Sequence, residues 1–340
     1  MIAIHTDKST FSERWIQYCK EKSTEYIIVD IYDSNIIQNL TRNNVQLVLC
    51  QPALYDYKTY LIAKSIIFSI ERAGIKIYPN FDSIWHYDDK ISQKYLFEAL
   101  DIPHAKMHVF YDVDKITNWL KEADFPLVFK LKGGASSSNV ILLKSKEDAD
   151  RLIMTMFNKG FKTIRPVMND FKTKISIHSY KKDWLATIKR LPITLSNIKK
   201  VNQKLPRQYG YFLVQEFIPN NDFDTRVVVV GSKAFSFRRY NRPDDFRASG
   251  SKNVDLNQEF IDKRAIKLSF EAARKIGSLS MAFDIIYNSD NEPVIIEMSY
   301  TCPVETINRI GGYWDPSLVY HSTDIRLEDS IMENALNSIS

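Results

Sequence analysis

Cysteine is scarce: Cys19, Cys50 and Cys302 are the only three in 340 residues, far apart and with no CxxC pair. That spacing offers neither a disulfide framework nor a zinc site, and it suits a reducing, cytoplasmic setting. No apolar run approaches the roughly 20 residues of a membrane span. The opening MIAIHTDKST reads as a strand and turn, without the apolar core and cleavage site of a secretory signal. GxGxxG is missing, so a dinucleotide site has no support. GxxxxGK[ST] is missing too, which excludes a Walker A loop. Internal repeats and low-complexity tracts are absent.

What is present is an ordinary globular composition, 44% hydrophobic and 26% charged. The length suits two or three packed α/β lobes better than one small core. The net charge of +5 is unevenly spread. Lys159 to Arg207 hold 13 Lys and Arg against Asp170 and Asp183, a local +11 that leaves the rest of the chain near −6. Trp184, Leu185, Ile188 and Leu191 stand at helical spacing within it before Pro192. Such a segment fits docking to a membrane surface, an anionic glycan or an acidic carrier; a solvated decoration fits it equally. No nucleic-acid-binding module accompanies the charge.

Short β-rich runs (MIAIH, EYIIVDIY, VQLVLCQP) alternate with helix-like stretches at 10–22, 33–41 and 56–73, which predicts a small parallel sheet. A second α+β unit follows, with helices at 90–100, 112–123 and about 146–158 and strands at Leu127–Leu131 and Val140–Leu143. From Tyr211 a third unit runs through FLVQEFI, DTRVVVVG and KAFSFRRY to a helix at 259–276. MAFDIIY and EPVIIEM then form a hairpin, and 325–337 forms a last helix. The domains expected are 1–84, 85–210 with the basic insertion at about 159–207, and 211–340.

Four clusters carry chemistry. In FPLVFKLKGGASSSNV a strand delivers Lys130 to a loop of small residues whose backbone N–H groups can wrap phosphates; the same loop also reads as a plain hairpin turn. In FDIIYNSDNEPVIIEMS, Asp284 and Glu297 lie on adjacent strands within apolar runs. Carboxylates there need a partner, and two converging ones suit Mg²⁺ or a salt bridge. VQEFIPNND offers extended backbone with Phe217 and Ile218 as apolar walls, then Asp222; an edge strand and turn is the alternative. SFRRYNRPDDFRASGS brings Arg238, Arg239, Arg242 and Arg247 into ten residues, a phosphate or carboxylate site or else a basic surface strand.

The order of these clusters, with Lys90 of YDDK ahead of them, resembles the ATP-grasp superfamily over about residues 80–305. Within it the likeness is nearest to ribosomal-protein and amino-acid glutamate ligases, and more distant to D-alanine–D-alanine ligases. The resemblance implies an α/β (α+β) fold, in which a parallel pre-ATP-grasp domain precedes two α+β lobes that sandwich ATP. It places Lys90 and Lys130 on the α- and β-phosphates and Gly133, Gly134, Ser136, Ser137 and Ser138 in the loop over the triphosphate. Glu216, Phe217 and Ile218 match the adenine hinge and Asp222 the ribose carboxylate. Arg247 matches the γ-phosphate contact, and Arg226, Arg238 and Arg239 line the acyl-acceptor side. Asp284 and Glu297 match the carboxylates for one or two Mg²⁺ (or Mn²⁺). Where the family has E-x-N this chain has Ser299, a shorter ligand that puts the second ion in doubt. The activity implied is an ATP-dependent carboxylate–amine ligase working through an acyl phosphate. Phrases such as QKYLFEAL and FRASGSKNVDL resemble ATP-grasp proteins of bacterial surface-polysaccharide loci, implying a sugar acid and an amino acid as the pair joined. Relatives are often dimers. A phosphotransferase on the same fold and a non-catalytic binder of anionic glycan or membrane stand as alternatives.

Overall fold

The computed structural model describes residues 1–6, 10–52, 57–133, 139–162, 207–242, 245–248 and 253–339. Gly134, Ser136, Ser137, Ser138 and nearly all of the basic segment lie outside the described residues.

The N-terminal unit is a four-stranded parallel sheet in the order β2-β1-β3-β4. Its strands are β1 (Ile2–His5), β2 (Tyr26–Val29), β3 (Leu47–Leu49) and β4 (Lys76–Tyr78), connected by α1 (Thr10–Glu21), α2 (Ile36–Arg42) and α3 (Tyr57–Arg72) and followed by the single turn α4 (Phe81–Ile84). β1 and β3 are buried at every position, as expected of parallel strands covered on both faces.

The second unit opens with α5 (Lys90–Ala99), whose N-cap Asp89 accepts from the Ser92 N–H at 3.0 Å. Then come β5 (Met107–Phe110), α6 (Val113–Trp119), β6 (Leu127–Lys130), β7 (Val140–Leu143) and α7 (Lys146–Met154). Two short strands follow, β8 (Phe161–Lys162) and β9 (Arg207–Gln208), and then β10 (Phe212–Glu216). Its sheet runs β5-β10-β6-β7, all antiparallel.

The third unit holds β11 (Phe223–Val230), β12 (Lys233–Tyr240), β13 (Val254–Asp255), α8 (Lys263–Ile276), β14 (Ser280–Tyr287), β15 (Pro293–Ser299), the short α9 (Val304–Ile307), β16 (Gly312–Trp314), β17 (Tyr320–Ser322) and α10 (Leu327–Asn337). The main path of the sheet is β15-β14-β11-β12-β16-β17. α8 buries Ala265, Ile266, Leu268, Ser269, Ala272, Ala273 and Ile276, one helical stripe. It ends at Gly277 with φ +75°, the left-handed cap that glycine adopts without a Cβ penalty.

This sheet has two unlike faces. Val227, Val229, Met281 and Phe283 point to α8 and share its core. On the other face, Val228, Val230, Phe235, Phe237 and Ala282 pack against α1 and α10. Farther along that second face, period-2 alternation puts Arg226, Arg239, Asp284 and Glu297 in line with those apolar residues. One sheet surface thus changes from apolar to charged midway, and the charged half floors a cleft under the second unit. Among the described residues no helix is long and apolar enough to cross a membrane.

Candidate functional site

The cleft between the two antiparallel sheets has a cavity volume of about 140 Å³. Lys130, Phe217, Ile218, Arg247, Asp284 and Glu297 all line it, so five sequence-distant segments converge as their order along the chain implied.

Local structure explains the convergence. The Gln93 amide on α5 makes two hydrogen bonds to the Met298 backbone, donating to its carbonyl at 2.9 Å and accepting its N–H at 3.3 Å. That clamps α5 to β15 and sets Lys90, the first residue of the helix, against Glu297: Nζ to Oε1 is 3.1 Å. The Lys90 N–H donates to the Lys132 carbonyl at 2.9 Å, tying the same helix start to the end of β6. Gly133 follows, where a Cβ would come within 3.2 Å of the Asp88 carbonyl oxygen, so the loop entry sits tight on the α5 cap.

Lys90 and Lys130 are both buried, at 4% and 6% exposure, and differ electrostatically. Burial opposes the charge on Lys90, but Glu297, Asp88 and Asp89 outweigh it and raise its pKa. Burial dominates at Lys130, pulling it down to about 8 against the attraction of Glu297. Lys130 donates to the Gln215 side chain at 2.5 Å. An anion placed beside Lys130 would offset this burial and favour its charged form.

Asp284 is the most heavily engaged carboxylate. Arg226 grips it with two bonds, Nε to Oδ1 at 2.6 Å and Nη2 to Oδ2 at 2.8 Å, and Arg239 Nη2 lies 2.8 Å from Oδ2. Burial alone would raise its pKa; the two guanidiniums hold it well below the usual carboxylate range. Arg239 in turn is paired through two bonds with Asp224.

Whether these groups suit Mg²⁺ follows from their lone pairs. Among the described residues Oδ2 of Asp284 accepts two donors, whereas Oδ1 accepts Arg226 Nε alone. Glu297 is the more exposed partner, 38% against 5% for the Asp284 side chain, and its Oε1 meets Lys90. One oxygen from each residue, directly opposed on neighbouring strands, fits a single hard cation completed by water and phosphate. Among the described residues no three His, Cys, Asp or Glu side chains form a cluster that could hold a metal by themselves.

Eight described residues singled out from the sequence by the resemblance stay outside the cleft lining: Lys90, Gly133, Glu216, Asp222, Arg226, Arg238, Arg239 and Ser299. Arg238 neighbours Arg239 on β12 and so points to the opposite sheet face, where its guanidinium lies 4.3 Å from the centre of the Phe223 ring. Glu216 follows Gln215 and likewise turns away, pairing with His108 at 3.1 Å and Lys106 at 3.0 Å; any hinge role falls to its backbone. Asp222 is exposed, and Asn220 and Asn221 line the cleft instead. Ser299 accepts the Thr301 N–H at 3.1 Å and meets the Thr301 hydroxyl at 2.9 Å, a local turn that uses its oxygen. Arg226 and Arg239 reach the site through Asp284.

Sequence reasoning missed Gln215, Phe246, Asp245 and Asp224. Gln215 was legible from alternation, since it shares a strand face with Lys130's side of the sheet. Phe246 meets Phe217 edge-on at 5.8 Å between ring centres, making an aromatic wall. Asp245 holds Arg247 with bonds of 2.7–2.9 Å, and that pairing lowers the Asp245 pKa.

Residues 193–313 match the model of the RimK-like ATP-grasp domain. Among solved structures, the biotin carboxylase domain of 2-oxoglutarate carboxylase from Hydrogenobacter thermophilus, in complex with MgADP, ADP and bicarbonate, is similar. Identity is 12%, with 98% of this chain and 69% of that chain covered, at a TM-score of 0.58. D-cycloserine synthetase is similar at 10% identity, 100% and 99% coverage and a TM-score of 0.57. D-alanine–D-alanine ligase from Bacillus anthracis is similar at 13% identity, 99% and 98% coverage and a TM-score of 0.52. No curated protein matches the sequence. Likeness at these identities is a likeness of fold, and the fold is that of the ATP-grasp proteins.

Proposed function

Taking the ATP-grasp fold and its RimK-like domain as the premise, we propose that this chain is an ATP- and Mg²⁺-dependent carboxylate–amine ligase. The observation that carries the reading is the meeting of Lys130, Asp284 and Glu297, with Lys90 paired to Glu297, at one cleft that Phe217, Ile218 and Phe246 also line. The cations and carboxylates suit a metal-bound triphosphate, and the apolar walls suit a base.

In this reaction a carboxylate oxygen of the substrate attacks the γ-phosphorus and ADP leaves, giving an acyl phosphate. The amine then attacks the acyl carbon, inorganic phosphate leaves, and the amine loses a proton. The protein's work is alignment and charge neutralisation. Lys90 and Lys130 take the phosphates, Arg247 waits on its Asp245 clasp at the cleft wall, and Arg226 and Arg239 flank the acyl side of Asp284. Glu297 and Oδ1 of Asp284 would hold Mg²⁺, which offsets phosphate charge when bound.

A screen for ADP release over pooled carboxylates and amines, with products read by mass, tests the proposal. Amide products support it, and ADP release that hydroxylamine cannot divert to a hydroxamate favours a phosphotransferase instead. The finer reading, a sugar acid joined to an amino acid, rests on the phrasing resemblance described above and is decided by the same screen.

A further inference from the structure

Asp224 has no part in the scheme so far. It lies opposite Arg239 in the β11–β12 register, and Arg226, two residues on, lies opposite Asp284 in the β11–β14 register. The four side chains therefore share one sheet face. Asp224 and Arg239 are 5% and 8% exposed. Arg239 gives Nε to Asp224 Oδ1 at 2.7 Å and Nη2 to Oδ2 at 2.6 Å, and only the shared Nη2 reaches Asp284 Oδ2, at 2.8 Å.

We infer that Asp224 is a positioning residue for the metal site: by holding the two-nitrogen edge of Arg239 it keeps Oδ1 of Asp284 open to a divalent cation. The inference rests on the reading of the cleft as a site for metal-bound nucleotide. Two physical consequences support it. Released from Asp224, the Nε–Nη2 edge of Arg239 has Asp284 as its neighbouring carboxylate, and a bidentate grip there would take the lone pair a metal needs. The ladder of two carboxylates and two guanidiniums is also balanced in charge. Neutralising Asp224 leaves a net positive charge beside the cation, in a buried setting where repulsion is poorly screened. Asp224 also lines the cleft, and its role here is exerted through Arg239.

Calorimetric titration of ADP at graded Mg²⁺ concentrations tests this on the wild type, on Asp224→Asn and on Asp224→Asn/Arg239→Gln, with folding checked by circular dichroism. The expected result is that Asp224→Asn raises the Mg²⁺ concentration for half-maximal ADP affinity by about tenfold or more, the scale of losing a group that orients a metal ligand. Affinity for metal-free ADP stays the same or tightens. The double variant, with no guanidinium edge left to swing, returns to within about threefold of the wild type, the coupling expected of contacting residues. An unchanged Mg²⁺ requirement in Asp224→Asn overturns the inference and leaves the functional reading standing. A wild type whose ADP binding ignores Mg²⁺ overturns the functional reading itself. If Asp224→Asn does not fold, the double variant decides alone, and a tenfold loss in it overturns the inference.

Discussion

Asp284 and Glu297 face each other across β14 and β15, yet they are bound to different parts of the molecule. Asp284 belongs to the arginines of the sheet, Arg226 and Arg239, while Glu297 belongs to Lys90 at the start of α5. The pair spans the joint between two units, and the consequences of losing each carboxylate differ.

Asp284→Asn leaves the buried Arg239 and the partly buried Arg226 without their shared carboxylate, so it should cost about 3 kcal/mol or more of stability. Glu297→Gln removes a half-exposed group whose lysine still has Asp88 and Asp89 nearby, and should cost about 1 kcal/mol. Both should abolish ADP release. Urea unfolding beside turnover checks the split, and equal stability losses would contradict it.

Arg238 and Arg239 are neighbours in sequence on opposite faces of β12. Arg238→Ala should cost about 1 kcal/mol in contacts to Phe223 and Phe260 and leave kcat/KM for ATP unchanged. Arg239→Ala strands the buried Asp224 and should lose both stability and turnover. Steady-state kinetics of the two purified variants would show the contrast.

His86 is fully buried, its Nε2 is 3.0 Å from the Asp82 carbonyl, and burial lowers its pKa to about 4. Between the ordinary imidazole value of 6.5 and about 4 the unfolded chain holds a proton on this residue that the folded chain does not. This contribution to stability is therefore complete above 6.5 and falls as pH drops, by about 3 kcal/mol at the lower end. His86→Phe should flatten the decline in denaturant midpoint over that window. A variant whose midpoint falls as steeply as the wild type's would exclude His86 as the cause.

Phe246→Ala opens the aromatic wall against Phe217 and should weaken ADP binding by about tenfold, the worth of one stacked ring. Fluorescence competition with a nucleotide analogue measures it.

Much of the fold was legible because its signals are local. The parallel N-terminal sheet followed from alternating β-rich and helical runs, and Lys90 stands where YDDK placed it, at the first turn of a helix capped by Asp89. Strand parity was the part left unread: the same alternation that puts Gln215 and Arg239 in the site turns Glu216 and Arg238 out of it. β5 escaped notice because Met107–Phe110 is only four residues of mixed polarity, and its strand character comes from pairing with β10 about a hundred residues later. The Asp224–Arg239–Asp284–Arg226 ladder was invisible for a related reason. Its members are unremarkable singly, and only the register across β12, β11 and β14 brings them together.

The most direct test of the central claim, that this cleft binds a metal nucleotide through its buried lysines, is calorimetric titration of ADP with and without Mg²⁺ into the wild type and Lys130→Met. The account predicts one site per chain, tighter with Mg²⁺ and weakened at least about tenfold by the substitution, the scale of losing one charge-assisted phosphate contact. Absence of ADP binding, or binding indifferent to both Mg²⁺ and Lys130, would contradict it.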